Sequence, residues 1–77
     1  MARFEEYDPA IADLDTAIAL DPGLASAAYY AKAELADQAG RPKEAEAAYR
    51  KFLDVASPRT PGIEKARVRL RELGERP

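Results

Sequence analysis

Side chains that could carry out catalysis are scarce in this 77-residue chain. It contains no histidine and no cysteine, so Ser26 and Ser57 lack the usual imidazole base, and a hydroxyl without an activating partner is a poor nucleophile. Asp13 and Asp15 lie two residues apart on a predicted helix, where side chains do not face each other. No loop resembles a calcium site. The sequence therefore predicts no enzymatic activity, no metal site and no cofactor.

Two adjacent tyrosines, Tyr29 and Tyr30, are the side chains best suited to binding a partner. On a helix, Tyr30, Glu34 and Asp37 follow the spacing of one face. An acidic strip with an aromatic edge suits a basic or amphipathic peptide. The alternative, in which both rings pack against neighbouring helices, stays open on the sequence alone.

Basic residues are concentrated near the end of the chain, where they raise the question of nucleic-acid binding. Arg67 and Arg71 share one helix face and Lys65 and Arg69 another, with Arg76 beyond, so the charge surrounds the helix. No aromatic residue is interleaved for base stacking, and the sequence pI of about 5.1 opposes attraction to phosphates. A solvated helix with some salt bridging is the favoured interpretation, and a nucleic-acid accessory domain is the alternative.

The positions of all these side chains depend on helices. Apolar spacing and helix-breaking residues predict a single domain, residues 1–77, with four helices at residues 9–20, 24–39, 42–56 and 63–73. The first helix has Asp8 as its N-cap and Pro9 in its first turn. Gly40 caps the second helix, and a loop with two prolines precedes the last. The short connections between the first three helices favour antiparallel neighbours.

Each predicted helix carries an apolar stripe that would face its neighbours. In chain order the stripes comprise Ala10, Ile11, Leu14, Ala17 and Ile18; Leu24, Ala28, Ala31, Leu35 and Ala39; Ala45, Ala48, Tyr49, Phe52 and Ala56; and Ile63, Ala66, Leu70 and Leu73. The third stripe is the strongest of the four.

Composition favours a small helical domain with an uneven charge. Alanine dominates the apolar set, which makes up 47% of the chain, and such small side chains let helices pack closely. Residues 1–40 carry eight acids against two bases, whereas residues 41–77 carry ten bases against six acids. Because no long apolar run and no signal-peptide pattern occurs, we expect a cytoplasmic protein with no membrane partner.

An internal repeat links the first and third helices. Ala10, Leu14 and Ala17 align with Ala45, Tyr49 and Phe52 at an offset of 35 residues. The offset is close to the period of about 34 residues in the tetratricopeptide repeat (TPR) family. The chain resembles that family, whose second helix carries alanine and then an aromatic residue and ends at a proline, here Pro22. The Gly40-Arg41-Pro42 segment also resembles the family's inter-helix turn, and together these features cover roughly residues 3–57.

The family's first-helix pattern fits the chain in two competing registers. Counting from Pro22 places it at Ala28, Ala31, Lys32 and Leu35, and counting from Gly40 places it at Tyr29, Lys32, Ala33 and Ala36. The first register agrees with the apolar stripe predicted for this helix. In either register a tyrosine lies where the family lines its concave surface.

The resemblance implies a partner-binding surface on the second helix. Its candidate residues are Tyr29, Tyr30, Ala33, Glu34 and Asp37. The clamp by which some family members hold a peptide's C-terminal carboxylate depends on asparagines and lysines. This chain has no asparagine, so that specialised function is excluded.

The resemblance as a whole implies an all-α fold of antiparallel helical hairpins, with one and a half repeats and a C-terminal capping helix. It implies a non-catalytic interaction or scaffold module whose partner is a protein, a peptide or a second copy, without a small-molecule substrate. Solenoid repeats bury their faces against neighbours, so we expect either a fragment or a self-associating unit. The acidic first helix and the basic last helix predict head-to-tail contact, and exchange of helices about a two-fold axis is the alternative. A purely structural mini-bundle without a ligand is the remaining alternative.

Overall fold

The protein is an array of four α-helices in a computed structural model that describes residues 4–75, with side chains from residue 8 onward. The helices are α1 (Phe4–Leu20), α2 (Ala25–Gln38), α3 (Pro42–Val55) and α4 (Ile63–Gly74), and a short 3-10 turn, Pro22–Leu24, joins α1 to α2. No strand occurs between residues 4 and 75, and the predicted all-α class is confirmed. Arg76 and the first three residues, to which the signal-peptide expectation applies, lie outside the described residues.

The start of α1 corrects the sequence prediction. We expected a helix over residues 9–20 with Asp8 as its N-cap, but α1 begins at Phe4 and contains Pro9. Pro9 is the sixth residue of α1, where proline keeps a helical φ but lacks the N–H donor and crowds the carbonyl four residues before it, so it weakens the helix there without ending it. Proline is frequent at helix starts, but it does not forbid helical residues before it. The other three helices begin and end within one residue of the expected ranges.

The turn between α2 and α3 is built around Gly40. Its φ of 74° lies in the left-handed region, which glycine adopts without a steric penalty. The Arg41 N–H donates to the Ala36 carbonyl at 2.9 Å, and the Gly40 N–H donates to the Asp37 carbonyl at 3.2 Å. This pair of bonds satisfies carbonyls that the end of α2 would otherwise leave open. The chain can therefore reverse within three residues and return as α3.

The core lies mainly in the α2–α3 hairpin, against which α1 and α4 pack from either side. The buried cluster comprises Ala33, Ala36, Ala45, Ala48, Tyr49, Phe52, Ala66 and Leu73. Ala33, Ala45 and Ala66 are 0% exposed, so each of the last three helices places a small residue where its neighbour approaches closely. Phe52 is the largest fully buried side chain. The ring of Tyr30 packs against it edge to face, with the two centroids 5.0 Å apart.

The buried face of α2 differs from the apolar stripe that we expected. Leu24 of that stripe is 50% exposed, whereas Ala33 and Ala36 are 0% and 2% exposed. Ala28 of the other register is also buried, at 5% exposed, so α2 buries residues of both registers and the deepest burial is at Ala33 and Ala36. Six of the 14 residues in α2 are alanine, so its apolar periodicity is too weak to select one face. In α3, by contrast, all but Ala56 of the predicted stripe is fully buried.

Gly62 fixes the place where α4 begins. Its φ of 94° is left-handed, and a Cβ atom at this position would lie 2.9 Å from Cε2 of Tyr30. A side chain here would be strained by the backbone and would also collide with the ring. The close approach brings the first turn of α4 directly against α2.

The resulting array measures 36 × 34 × 15 Å, and this thinness leaves each described helix with a face toward solvent. Among helices within residues 4–75, none combines the length and the hydropathy that crossing a bilayer requires.

Replacing Ala33 with leucine tests the buried face of α2. Because Ala33 is fully enclosed, we expect Ala33→Leu to lower the free energy of unfolding by about 1–3 kcal/mol through overpacking. The matched control is Ala27→Leu, on an exposed position of the same helix, with an expected change of about 0.5 kcal/mol or less. Urea unfolding followed by circular dichroism measures both. Equal effects of the two substitutions would contradict the assigned face.

Candidate partner-binding surfaces

An open cleft between α2 and α4 contains two of the five predicted binding residues. We call it the α2–α4 cleft; it has a volume of about 450 Å³ and is lined by Glu34, Asp37, Gln38, Tyr49, Glu64, Lys65, Val68, Arg69 and Glu72. Four carboxylates face two basic side chains, so the lining carries a net negative charge. Val68 is 48% exposed and supplies apolar surface beside these charges. The cleft combines apolar contact area with acidic groups that can orient a basic side chain.

A bidentate ion pair holds the two sides of this cleft together. Arg69 donates from Nε and Nη2 to the two carboxylate oxygens of Asp37, each at 2.6 Å, and from Nη1 to Glu72 at 3.3 Å. These hydrogen bonds, first that to Asp37 and then that to Glu72, raise the pKa of the Arg69 guanidinium above its usual value. The side chains of Arg69 and Asp37 are 28% and 23% exposed, so water screens this pair less than a surface pair. Through it, α4 is anchored to α2 as well as to α3.

Tyr49 of α3 lines the base of the same cleft. The pKa of its hydroxyl is raised to about 12, mainly by burial and then by Asp37, the Tyr30 hydroxyl and Glu34, while Arg69 acts in the opposite direction. A neutral hydroxyl can both donate and accept a hydrogen bond at physiological pH. Tyr49 therefore adds an uncharged polar group to an otherwise charged cleft.

The other three predicted binding residues lie elsewhere. Ala33 is fully buried and so has no surface to offer a partner. Tyr30 is half-buried against Tyr49 and Phe52, which is the packing role left open in the sequence. Tyr29 lies in a separate cleft with residues from α1 and α3, and the Lys32 ammonium sits 5.5 Å from its ring centroid. Adjacent residues on a helix point in directions about 100° apart, so the two tyrosines cannot share one surface.

A second open groove lies between α1 and α2. We call it the α1–α2 groove; it has a volume of about 470 Å³ and is lined by Ala10, Asp13, Leu14, Ala31, Glu34, Leu35 and Gln38. Its floor is apolar, and Asp13 and Glu34 place acidic groups at its margins. Glu34 and Gln38 also line the α2–α4 cleft, so the two depressions adjoin along one side of α2.

The basic residues of α4 do not form a single surface. Arg69 is held by Asp37, and Lys65 lines the α2–α4 cleft with three carboxylates besides Asp37. Arg67 lies on another side of the helix, 3.5 Å from Glu64. Residues 8–75 therefore show no continuous basic stripe of the kind that tracks a phosphate backbone. Within the same residues, no acidic cluster is arranged to hold a metal ion.

The central hairpin is also the part of the chain that a family model recognises. The model of the tetratricopeptide repeat matches residues 26–58, which span most of α2, the Gly40 turn and all of α3. This match is consistent with a TPR repeat in these residues. Comparison of the chain with curated proteins and with solved structures gave no match.

TPRs generally mediate protein–protein interactions and are generally not catalytic. In the matched hairpin, α2 is the first helix and α3 the second, and the α2–α4 cleft lies on the α2 side. The sequence missed Tyr49, Val68 and Arg69 as cleft residues because their contribution depends on α4 lying beside α2. Asp37 and Arg69 are 32 residues apart, and no local spacing signals their pairing.

Loss of the Asp37 charge tests the anchor of α4. We expect Asp37→Asn to lower the free energy of unfolding by about 1–3 kcal/mol, because a partly buried guanidinium loses a bidentate, charge-assisted partner. Glu64→Gln is the matched control, since Glu64 is largely exposed and its pair with Arg67 is long; its expected change is within about 0.5 kcal/mol. Urea titration of both variants measures the difference. A loss for Asp37→Asn no larger than the control would show that the pair does not anchor the helix.

Alkaline pH tests the environment of Tyr49. Its pKa is about 12 in the folded chain, against 10.0 for an ordinary tyrosine, so the folded state keeps a proton that the unfolded state releases above about pH 10. The free energy of unfolding contributed by this group is therefore complete below pH 10 and declines as the pH rises toward 12. We expect wild type to lose more stability than Tyr49→Phe between about pH 9 and pH 11. Urea unfolding at both pH values measures this, and equal losses would contradict the assigned environment.

Proposed function

We propose that this TPR-containing chain is a protein-binding module and that its docking site is the α2–α4 cleft. The observation that carries the proposal is Glu34. This carboxylate lines the cleft, and no basic side chain among residues 8–75 pairs with it. Asp37, which lines the same cleft, is already held by Arg69. Glu34 is therefore the carboxylate of the cleft that forms no ion pair within residues 8–75.

The lining of the cleft favours a partner segment that combines a basic with an apolar side chain. Lysine or arginine in the ligand would pair with Glu34, and an apolar neighbour would cover the exposed Val68. Tyr49 borders the cleft but is only 5% exposed, so it forms part of the base and offers little contact surface. This agrees with the basic or amphipathic peptide that the acidic strip of α2 suggests, with Val68 in place of Tyr29 and Tyr30.

A nucleic-acid accessory role has less support than peptide binding. Arg69 is engaged by Asp37, and the remaining described bases of α4 lie on different sides of the helix. A mini-bundle with no ligand would not need an open cleft with an unpaired carboxylate. The peptide-binding proposal uses both features.

Selection from a random displayed-peptide library tests the proposal. We expect wild-type protein to enrich peptides that carry lysine or arginine beside an apolar residue. A synthetic peptide of the enriched sequence should bind Glu34→Lys roughly tenfold more weakly in fluorescence anisotropy, since attraction becomes repulsion. Asp13→Lys is the matched control, because it makes the same charge change in the α1–α2 groove alone and should leave binding unchanged.

Chemical-shift mapping of the same peptide on ¹⁵N-labelled protein locates the site. We expect the largest changes at cleft residues of α2 and α4, such as Gln38, Lys65 and Val68. Unchanged affinity for Glu34→Lys, or shifts confined to other faces, would reject the cleft as the docking site.

A further inference from the structure

The apolar face of α1 lacks the cover that the equivalent face of α3 has. Ala45, Tyr49 and Phe52 of α3 are 0%, 5% and 1% exposed, because α2 and α4 enclose them. The residues that match them in α1 are Ala10, Leu14 and Ala17, and all three are only half-buried. Among the described residues, α1 packs against α2 but has no helix in the position that α2 takes beside α3. The α1–α2 groove is the space left beside it.

Helix α4 also has a face that the described residues leave partly uncovered. Helix α4 packs on α3 in the way that α2 packs on α1. However, α2 also forms a hairpin with the helix that follows it, α3, whereas no described helix follows α4. Ile63 and Leu70 of α4 are consequently half-buried. A shallow depression lies beside them, where Leu53 and Ala56 of α3 meet Ile63 and Arg67. Within residues 4–75, neither the open face of α1 nor that of α4 is covered by another helix.

Opposite charges occupy the matching positions of these two open faces. Asp13 of α1 lies 35 residues before Ala48, and Arg67 of α4 lies 34 residues after Ala33. Ala48 and Ala33 are 8% and 0% exposed and belong to the core of the α2–α3 hairpin. Asp13 and Arg67 are thus an exposed acid and an exposed base at positions that match the buried Ala48 and Ala33. Glu34 at the margin of the groove and Arg71 one turn beyond Arg67 extend the same complementarity.

We propose that α4 of a second copy occupies the α1–α2 groove, so that copies of this chain join head to tail. The docked α4 lies beside α1 on the side that α2 takes beside α3, but at a wider spacing, because Arg67 and Asp13 are larger than the alanines of the α2–α3 contact. Arg67 and Arg71 of the docked copy lie against Asp13 and Glu34 of the first copy. Ile63 and Leu70 of the docked copy cover Leu14 of the first. Because the two contacting surfaces differ, the contact is heterologous, and each copy added leaves another open end. This inference does not rest on the α2–α4 cleft as a peptide site.

Charge exchange between two variants tests the proposed contact. The head variant carries Asp13→Lys with Glu34→Lys, and the tail variant carries Arg67→Glu with Arg71→Glu. In sedimentation velocity at low salt, we expect the average mass of wild type to rise continuously with concentration and to fall when salt is added. In the head variant two basic surfaces would meet, and in the tail variant two acidic ones. Each variant alone should therefore need a roughly tenfold higher protein concentration to associate. An equimolar mixture pairs basic heads with acidic tails, and association should return.

The controls separate this contact from general charge effects and from misfolding. Lys43→Glu with Asp54→Lys reverses two exposed charges that line neither the groove nor the depression beside α4, and it should associate like wild type. Circular dichroism checks that each variant is helical, and recovery in the mixture itself shows that both variants fold. A wild-type monomer at every concentration would overturn the proposal. A dimer that does not grow, or a mixture that stays monomeric, would overturn it as well.

Discussion

The close approach of α2 to α3 is the constraint on which the rest of the structure depends. Ala33 and Ala45 have no exposed surface, and residues this small are required where two helix backbones come near each other. The space that alanines leave on either side is filled by large rings, with Tyr30 packed on Phe52 and Tyr49. Small and large residues therefore act together, and a change in either would move α3 relative to α2. The segment that matches the TPR model is this hairpin and its turn.

Both candidate binding surfaces follow from how the outer helices attach to the hairpin. α4 is fixed by Ala66 and Leu73 in the core, by Gly62 against the Tyr30 ring, and by the Arg69–Asp37 pair. These contacts hold α4 beside α2 but leave a cleft between the two helices. On the other side, α1 contacts α2 through half-buried residues and no side chain of α1 is fully buried among residues 8–20. A thin array of this kind contacts only its neighbours, so its end helices always expose a face.

The sequence predicted the fold well where apolar and charged residues separate cleanly, and poorly where they do not. In α3, Ala45, Tyr49 and Phe52 alternate with charged residues, and their face was predictable. In α2, alanines on several sides concealed the face that contains Ala33. The candidate site was predictable for Glu34 and Asp37, because helical spacing fixes which side chains share a face. The contributions of Arg69 and Tyr49 depend on contacts between helices distant in sequence, and a single sequence gives no sign of such contacts.

The uneven charge of the chain acquires a physical meaning in the packed helices. Acids dominate the first half and bases the second, and the Arg69–Asp37 pair shows that this division already joins one late helix to one earlier helix within the molecule. The open faces of α1 and α4 present the same division at the two ends, with Asp13 on one and Arg67 on the other. Charged margins around a modest apolar area keep such ends hydrated while they are apart, because ionised groups are costly to desolvate. They also make any contact between the ends sensitive to salt and specific in orientation, since only unlike ends attract. An interface of this composition suits reversible assembly better than a permanent one, which would be larger and more apolar.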